Sequence, residues 1–230
     1  MTLAAARAAL LVAWAARLYR LDAQSFWYDE GTSVTVAPRD LQTILANAAA
    51  DIHPPLYYLL LHYWVGATGT SEWALRLLSV AFGLLTVAVV YRLGRDVLGP
   101  AGGVAAGLIA ALAPLAVWYS QEARMYALAA LAGAAATLVL LRALARGGRS
   151  LWACYGALIA VTLYSHYFAA TIPLAHTLLV AGHWRRQVVV PWLAVAAAAG
   201  LAFLPWFART LGQLTGWPAT APPYGPAELV

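Results

Sequence analysis

Two carboxylates stand side by side in Ser25-Phe26-Trp27-Tyr28-Asp29-Glu30-Gly31. A carboxylate beside an aromatic cluster, just after an apolar helix, can act as general base on an acceptor hydroxyl or amine while its other reactant stays tethered in lipid. The same dipeptide equally suits the acidic first turn of a helix, or a solvated loop. A second group is Asp51-Ile52-His53-Pro54-Pro55-Leu56-Tyr57-Tyr58. Successive prolines cannot lie inside a helix but suit its start, where a missing N–H costs nothing. His53 is then either a chemical group or part of a rigid helix entry. The third group is Arg76 with Ser120-Gln121-Glu122-Ala123-Arg124-Met125-Tyr126. An arginine within an apolar span costs about 2.5–3.5 kcal/mol on insertion scales and needs a partner or a task. Its planar fork suits a phosphate, and an Arg76–Glu122 ion pair is the structural alternative. His166 falls at a turn, His176 inside an apolar block as a packing residue, and His183 in a basic loop. No cluster has metal-ligand spacing, so no metal or cofactor is expected, and no base partner is signalled for a serine hydrolase.

The elements that must carry these groups are membrane helices. The chain is 63% hydrophobic and 10% charged, against about 25% charged for a soluble domain. Its apolar residues fall in blocks at 3–21, 56–64, 73–91, 101–118, 123–141, 151–168, 169–182 and 188–207, most of them near the ~20 residues that cross a bilayer. All fourteen basic residues are arginine. They sit mainly in short loops between the blocks, where membrane orientation places them, which removes nucleic acid as a partner. Cys154 is the lone cysteine, so no intrachain disulfide can form. Residues 3–21 run into Arg17 and Arg20 without a small-residue cleavage site, and read as a retained anchor.

Block 56–64 decides the topology. It is short, and Tyr57, Tyr58, His62, Tyr63 and Trp64 suit the membrane–water interface. If it lies flat and the N-terminus is cytoplasmic, Arg92, Arg95, Arg142, Arg146, Arg149, Arg185 and Arg186 all fall inside. The segment with Asp22, Asp29, Glu30, Asp40 and Asp51 then falls outside. A spanning block with the N-terminus inside reverses the arginines; one with the N-terminus outside moves the acidic loop to the cytoplasm. The expected fold is all-α integral membrane, with about seven transmembrane helices and one or two interfacial helices in the first outer loop. Residues 1–210 form the membrane module, 22–66 its outer catalytic loop, and 211–230 a Pro/Gly-rich outer loop or tail.

In this order the motifs resemble the GT-C membrane glycosyltransferases, among them protein O-mannosyltransferases, lipid A aminoarabinose transferases and bacterial family 39-like transferases. The resemblance is carried by Trp27-Tyr28-Asp29-Glu30, His53-Pro54-Pro55-Leu56-Tyr57-Tyr58, Arg76-Leu77-Leu78-Ser79 and Ser120-Gln121-Glu122-Ala123-Arg124-Met125-Tyr126, and extends from about Arg17 to Trp206. It implies a GT-C-like fold, a polyprenyl-phosphate sugar donor and inverting transfer to a lipid, glycan or protein acceptor, on the non-cytoplasmic face of the plasma membrane. Asp29 would be the general base, with Glu30 positioning the acceptor or supporting Asp29. Arg124, Arg76 and His53 would surround the donor phosphate, and Tyr57, Glu122 and Tyr126 complete the expected substrate-binding set. Two departures stand out. Relatives carry an Asp two positions after the outer-loop Arg, where this chain has Tyr126, and a lysine near the Pro-Pro element, where the nearest substitute is His53. Family members also continue through further spans and an outer domain, so a partner chain is one source of the missing half. The rival readings are a non-catalytic membrane module and a transporter of lipid-linked sugars. Transporters more often show paired repeats or charges along a midplane path.

Overall fold

The structure is a computed structural model that describes residues 2–216. Helix α1 (Thr2–Leu18) leads into α2 (Tyr28–Val36), α3 (Leu41–Ala50) and α4 (Leu56–Thr68), followed by the long α5 (Glu72–Leu112). Then come α6 (Pro114–Ser120), α7 (Tyr126–Arg146), α8 (Arg149–Ser165), a 3-10 turn (Tyr167–Ala170), α9 (Thr171–Ala181) and α10 (Arg186–Gly216). No strand occurs among the described residues.

The all-α membrane architecture expected from the sequence is present. Three helices, α5, α7 and α10, are long and apolar enough to cross a membrane. Gly99 breaks α5: its φ of 80° and ψ of −175° leave the helical region, a conformation glycine adopts without a Cβ penalty. Pro100 then opens the next helix, where its missing N–H costs nothing. α5 is therefore a hairpin of residues 72–98 and 100–112, and the apolar blocks at 73–91 and 101–118 correspond to its two arms, the second continued by α6. Many large apolar side chains stay exposed, including Leu11, Trp14, Leu85, Ile109, Leu178 and Leu201. Such a surface would drive aggregation in water and is what a lipid-facing bundle requires.

The first loop holds three short helices rather than one or two. In α3, Asp40 caps the start by accepting the Thr43 N–H at 3.0 Å. In α4, Pro54-Pro55 precede Leu56, as their rigid φ dictates. α4 has 13 residues, about 20 Å of helix, too short to span. Its aromatic residues divide. Tyr57 and Tyr58 are buried, Trp64 donates its indole N–H to the Ala74 carbonyl at 2.8 Å, and Tyr63 is exposed. The break expected near Ser165-His166 is where α8 ends. α10 continues through residues 211–216, which the sequence assigned to a loop; that stretch itself holds no proline. The remainder of that tail lies outside the described residues.

Arg17 is 1% exposed near the end of α1. It donates to the Ala111 carbonyl at 2.9 Å, the Ala110 carbonyl at 3.1 Å and Ser120 Oγ at 3.1 Å. Those carbonyls belong to the last turn of α5, where helical partners run out and the dipole is negative. The guanidinium thus caps one helix while anchoring another. Gly83 makes the approach possible: a Cβ there would stand 2.1 Å from Ser120 Oγ and 2.8 Å from Arg17 Nε.

Candidate active site

Trp27 is extended (φ −82°, ψ 173°), so α2 begins at Tyr28 and both carboxylates occupy its first turn, where the helix dipole favours negative charge. Glu30 turns inward and is 1% exposed; the Asp29 side chain, 35% exposed, faces the rim.

Glu30 meets Arg76 in a two-pronged ion pair, Nε to Oε1 at 2.9 Å and Nη2 to Oε2 at 2.7 Å. Arg76 Nη1 donates to the Leu21 and Gln24 carbonyls, each at 2.8 Å, and the guanidinium lies 5.1 Å from the Phe26 ring. Glu30 Oε1 also accepts the Ala123 N–H at 2.8 Å. This knot ties the segment after α1, the start of α5 and the α6–α7 loop together. It corrects the Arg76–Glu122 pairing weighed from the sequence: Arg76 takes both oxygens of Glu30, while Glu122 Oε1 accepts from Trp118.

Arg124 is 2% exposed in the α6–α7 loop. Its Nη1 donates to the Asp29 carbonyl at 3.1 Å and the Tyr58 hydroxyl at 3.3 Å. Its Nη2 lies 3.7 Å from Asp29 Oδ2, and 3.5 and 3.3 Å from the two ring nitrogens of His53. Its Nε is buried without a partner. His53 Nδ1 is 3.0 Å from Asp51 Oδ2, and Asp51 Oδ1 accepts the Ile52 N–H at 2.7 Å. Burial pushes the Asp51 carboxyl up, but hydrogen bonds from His53 and Ile52 and the charges of His53 and Arg124 outweigh it and hold it below the usual range. Asp51 thus stays ionised and orients His53.

Asp51, Tyr58 and His166 are the members that sequence reasoning left out. The first two sit inside the quoted His-Pro-Pro motif; only their burial and partners separate them from its other residues. His166 had no sequence signal beyond its place at a turn. Its ring packs 5.7 Å from His53 and 5.7 Å from Tyr126. Its Nδ1 accepts the Phe168 N–H at 3.1 Å. Burial, with the charges of His53 and Arg124, lowers its pKa to about 4. At neutral pH it is uncharged, with its proton on Nε2.

Two expected substrate-binding residues stand differently. Tyr57 is fully buried; its hydroxyl meets Ser79 Oγ at 2.9 Å, and Ser79 donates to the Arg124 carbonyl at 3.3 Å. It meets the site through that relay and through its ring, which packs 6.3 Å from that of Tyr58. Glu122 is 8% exposed. Its Oε1 accepts the Trp118 indole N–H, its Oε2 is buried without a partner, and burial raises its pKa. Glu122 and Tyr126 line a cavity of about 750 Å³. No group of three metal-ligating side chains occurs among the described residues.

The geometry offers a partly exposed carboxylate within reach of a buried, incompletely partnered guanidinium and an imidazole. That arrangement can take a proton from a nucleophile and receive an anionic leaving group. The sequence model of the dolichyl-phosphate-mannose-protein mannosyltransferase family matches residues 52–208. No curated protein and no solved structure matches the chain. The matched segment holds His53, Arg76, Glu122, Arg124 and Tyr126; Asp29 and Glu30 precede it and join it through Arg124 and Arg76.

Proposed function

Since more than half of its 230 residues match that model, the chain belongs to the dolichyl-phosphate-mannose-protein mannosyltransferase family, a group of membrane glycosyltransferases, and from this premise we propose how its site works. The donor is a polyprenyl-phosphate sugar and the acceptor a hydroxyl or amine on a lipid, glycan or protein, taken up on the non-cytoplasmic face. Asp29 removes the acceptor proton as the acceptor atom attacks the anomeric carbon. The bond from that carbon to the phosphate oxygen breaks, and the lipid phosphate leaves with the electron pair. Arg124 and His53 receive the charge on the phosphate, and Asp51 holds His53 toward it. Glu30 and Arg76 act as positioning residues: their polar atoms are spent on each other and on backbone groups.

The single observation that carries the reading is Asp29 lying 3.7 Å from an Arg124 that also contacts His53. In this reading the proton acceptor and the phosphate receiver are direct neighbours. The test is sugar transfer in membranes from labelled polyprenyl-phosphate mannose. Asp29→Asn should lower the rate by on the order of 10²- to 10⁴-fold with donor binding kept, and Arg124→Ala by about 10²- to 10³-fold. Equal transfer by wild type and Asp29→Asn refutes the base assignment.

A further inference from the structure

A groove of about 650 Å³ runs between α1 and the first arm of α5, well away from the Arg124–His53 cluster. Leu10, Leu11 and Trp14 of α1 and Leu84, Leu85 and Ala88 of α5 line it, together with Arg7. Leu11, Trp14 and Leu85 are each more than half exposed, so the groove faces the surroundings of the bundle. The α1 residues recur at the spacing of one helix face, a stripe about 10 Å long. Ala88 contributes only a methyl where a larger side chain would fill the space. Arg7 is exposed, and makes no ion pair or hydrogen bond among the described residues. A guanidinium within an apolar helix is costly unless it finds a partner, and the protein offers none. Antiparallel packing carries Arg7 toward the end of the bundle remote from the site: Arg17 approaches Gly83, and Ala13 joins Val87 in one buried cluster. At that end the described residues hold one carboxylate, Asp96, and Arg92 and Arg142 already take it.

We propose that this groove docks an anionic phospholipid, one acyl chain lying along Leu10, Trp14 and Leu84 and the headgroup phosphate paired with Arg7. The lipid supplies what the protein withholds. Its chain covers an apolar hollow, and its phosphate takes two hydrogen bonds at once from the planar guanidinium. The long stem of Arg7 lets that head reach the polar boundary while its methylenes stay against apolar surface. A zwitterionic lipid brings the same phosphate but also its own ammonium beside the guanidinium, so charge complementarity favours a net anionic headgroup. In the proposed orientation this end of the bundle lies in the cytoplasmic leaflet, whose surface is anionic. The prenyl tail of a sugar donor is the poorer occupant: in the proposed reaction its phosphate is received by Arg124, at the other end, and leaves Arg7 unpaired. The inference therefore stands apart from the glycosyl-transfer reading. It needs only a bundle embedded in lipid and an arginine without a protein partner.

The test places the full chain in phosphatidylcholine nanodiscs that carry a trace of photoreactive lipid, either phosphatidylglycerol or phosphatidylcholine with a diazirine in the acyl chain. Labelled peptides are then located by mass spectrometry. Phosphatidylglycerol should label residues 10–14 and 84–88 about fivefold more than phosphatidylcholine does, the factor expected of one arginine beside an anionic lipid. Arg7→Gln, at an exposed position, should bring the two lipids to equal labelling. Ala88→Phe fills the groove and should lower labelling by both. In wild type, excess unlabelled phosphatidylglycerol should displace the probe, a result that depends on no variant folding. Equal labelling by the two lipids in wild type overturns the proposal, as does a preference that survives Arg7→Gln or labelling that Ala88→Phe leaves unchanged. Displacement by unlabelled polyprenyl phosphate but not by phosphatidylglycerol overturns it in favour of a donor tail. Absence of label from both segments, with a second copy cross-linked through them, overturns it in favour of a protein interface.

Discussion

A step of about 100° per residue around a helix sends the adjacent carboxylates of α2 to different surroundings, and their chemistry divides with them. Glu30, at 1% exposure, is saturated by Arg76 and the Ala123 N–H, while Asp29 keeps an open side. His166 supplies a pH dependence at the same scale. Its folded pKa, about 4, lies below the ordinary 6.5, so folding favours its neutral form. The stability this contributes is complete above about pH 6.5 and is lost as pH falls toward 4. The thermal midpoint of wild type in detergent should therefore drop more steeply between pH 6.5 and 4 than that of His166→Gln. Asp51 acts lower on the scale: its depressed pKa makes a contribution that persists until its carboxylate protonates, below the ordinary 3.8. Parallel curves for wild type and His166→Gln across pH 6.5 to 4 would remove His166 from the cluster.

At the scale of elements, buried arginines hold the site end of the bundle together. Removing one partner of the Glu30–Arg76 pair leaves a buried charge, so Glu30→Ala should cost about 3–5 kcal/mol, measured by denaturant unfolding. The double variant Glu30→Ala/Arg76→Ala should cost less than the sum of the two single changes, and strict additivity would deny the coupling. The α1–α5–α6 contact makes a steric prediction. Gly83→Ala places a methyl 2.1 Å from Ser120 Oγ and should destabilise by about 1–3 kcal/mol. Adding Ser120→Gly should return part of that loss; if it returns none, the close approach is not what excludes a side chain there.

For the molecule as a whole, charge is distributed by end. Arg76 and Arg92 are both on α5, sixteen positions apart, and Arg124 and Arg142 span α7 similarly, about 24 Å or more of helix. At the far end Asp96 joins α5 to α7, accepting from Arg142 at 2.8 Å and from Arg92 at 2.8 Å. The Asp29–Arg124 cluster and the basic loops are thus separated by nearly the depth of a bilayer core, about 30 Å. The positive-inside tendency is what supports the proposed non-cytoplasmic orientation of the site. Gly31 has open space where a Cβ would go. Gly31→Cys in a Cys154→Ala background should therefore react with an impermeant thiol reagent added outside intact cells, and labelling only after permeabilisation would reverse the orientation.

Membrane class, approximate spans and the ordered motifs could be read from residues alone, because apolar run length and proline position act locally along the chain. The Pro54-Pro55 start of α4 and the break after Ser165 are of this kind, and so is the family. Partnerships are not local. Arg76 takes Glu30 across 46 positions, and Arg17 reaches the Ala110 and Ala111 carbonyls from more than ninety positions away. A sequence says that a buried arginine needs a partner but not which one, since only packing brings donor and acceptor within 3 Å. The same reason made Asp29-Glu30 look like one unit of chemistry. Tertiary structure separated it into an open carboxylate beside Arg124 and a closed one that holds the loop.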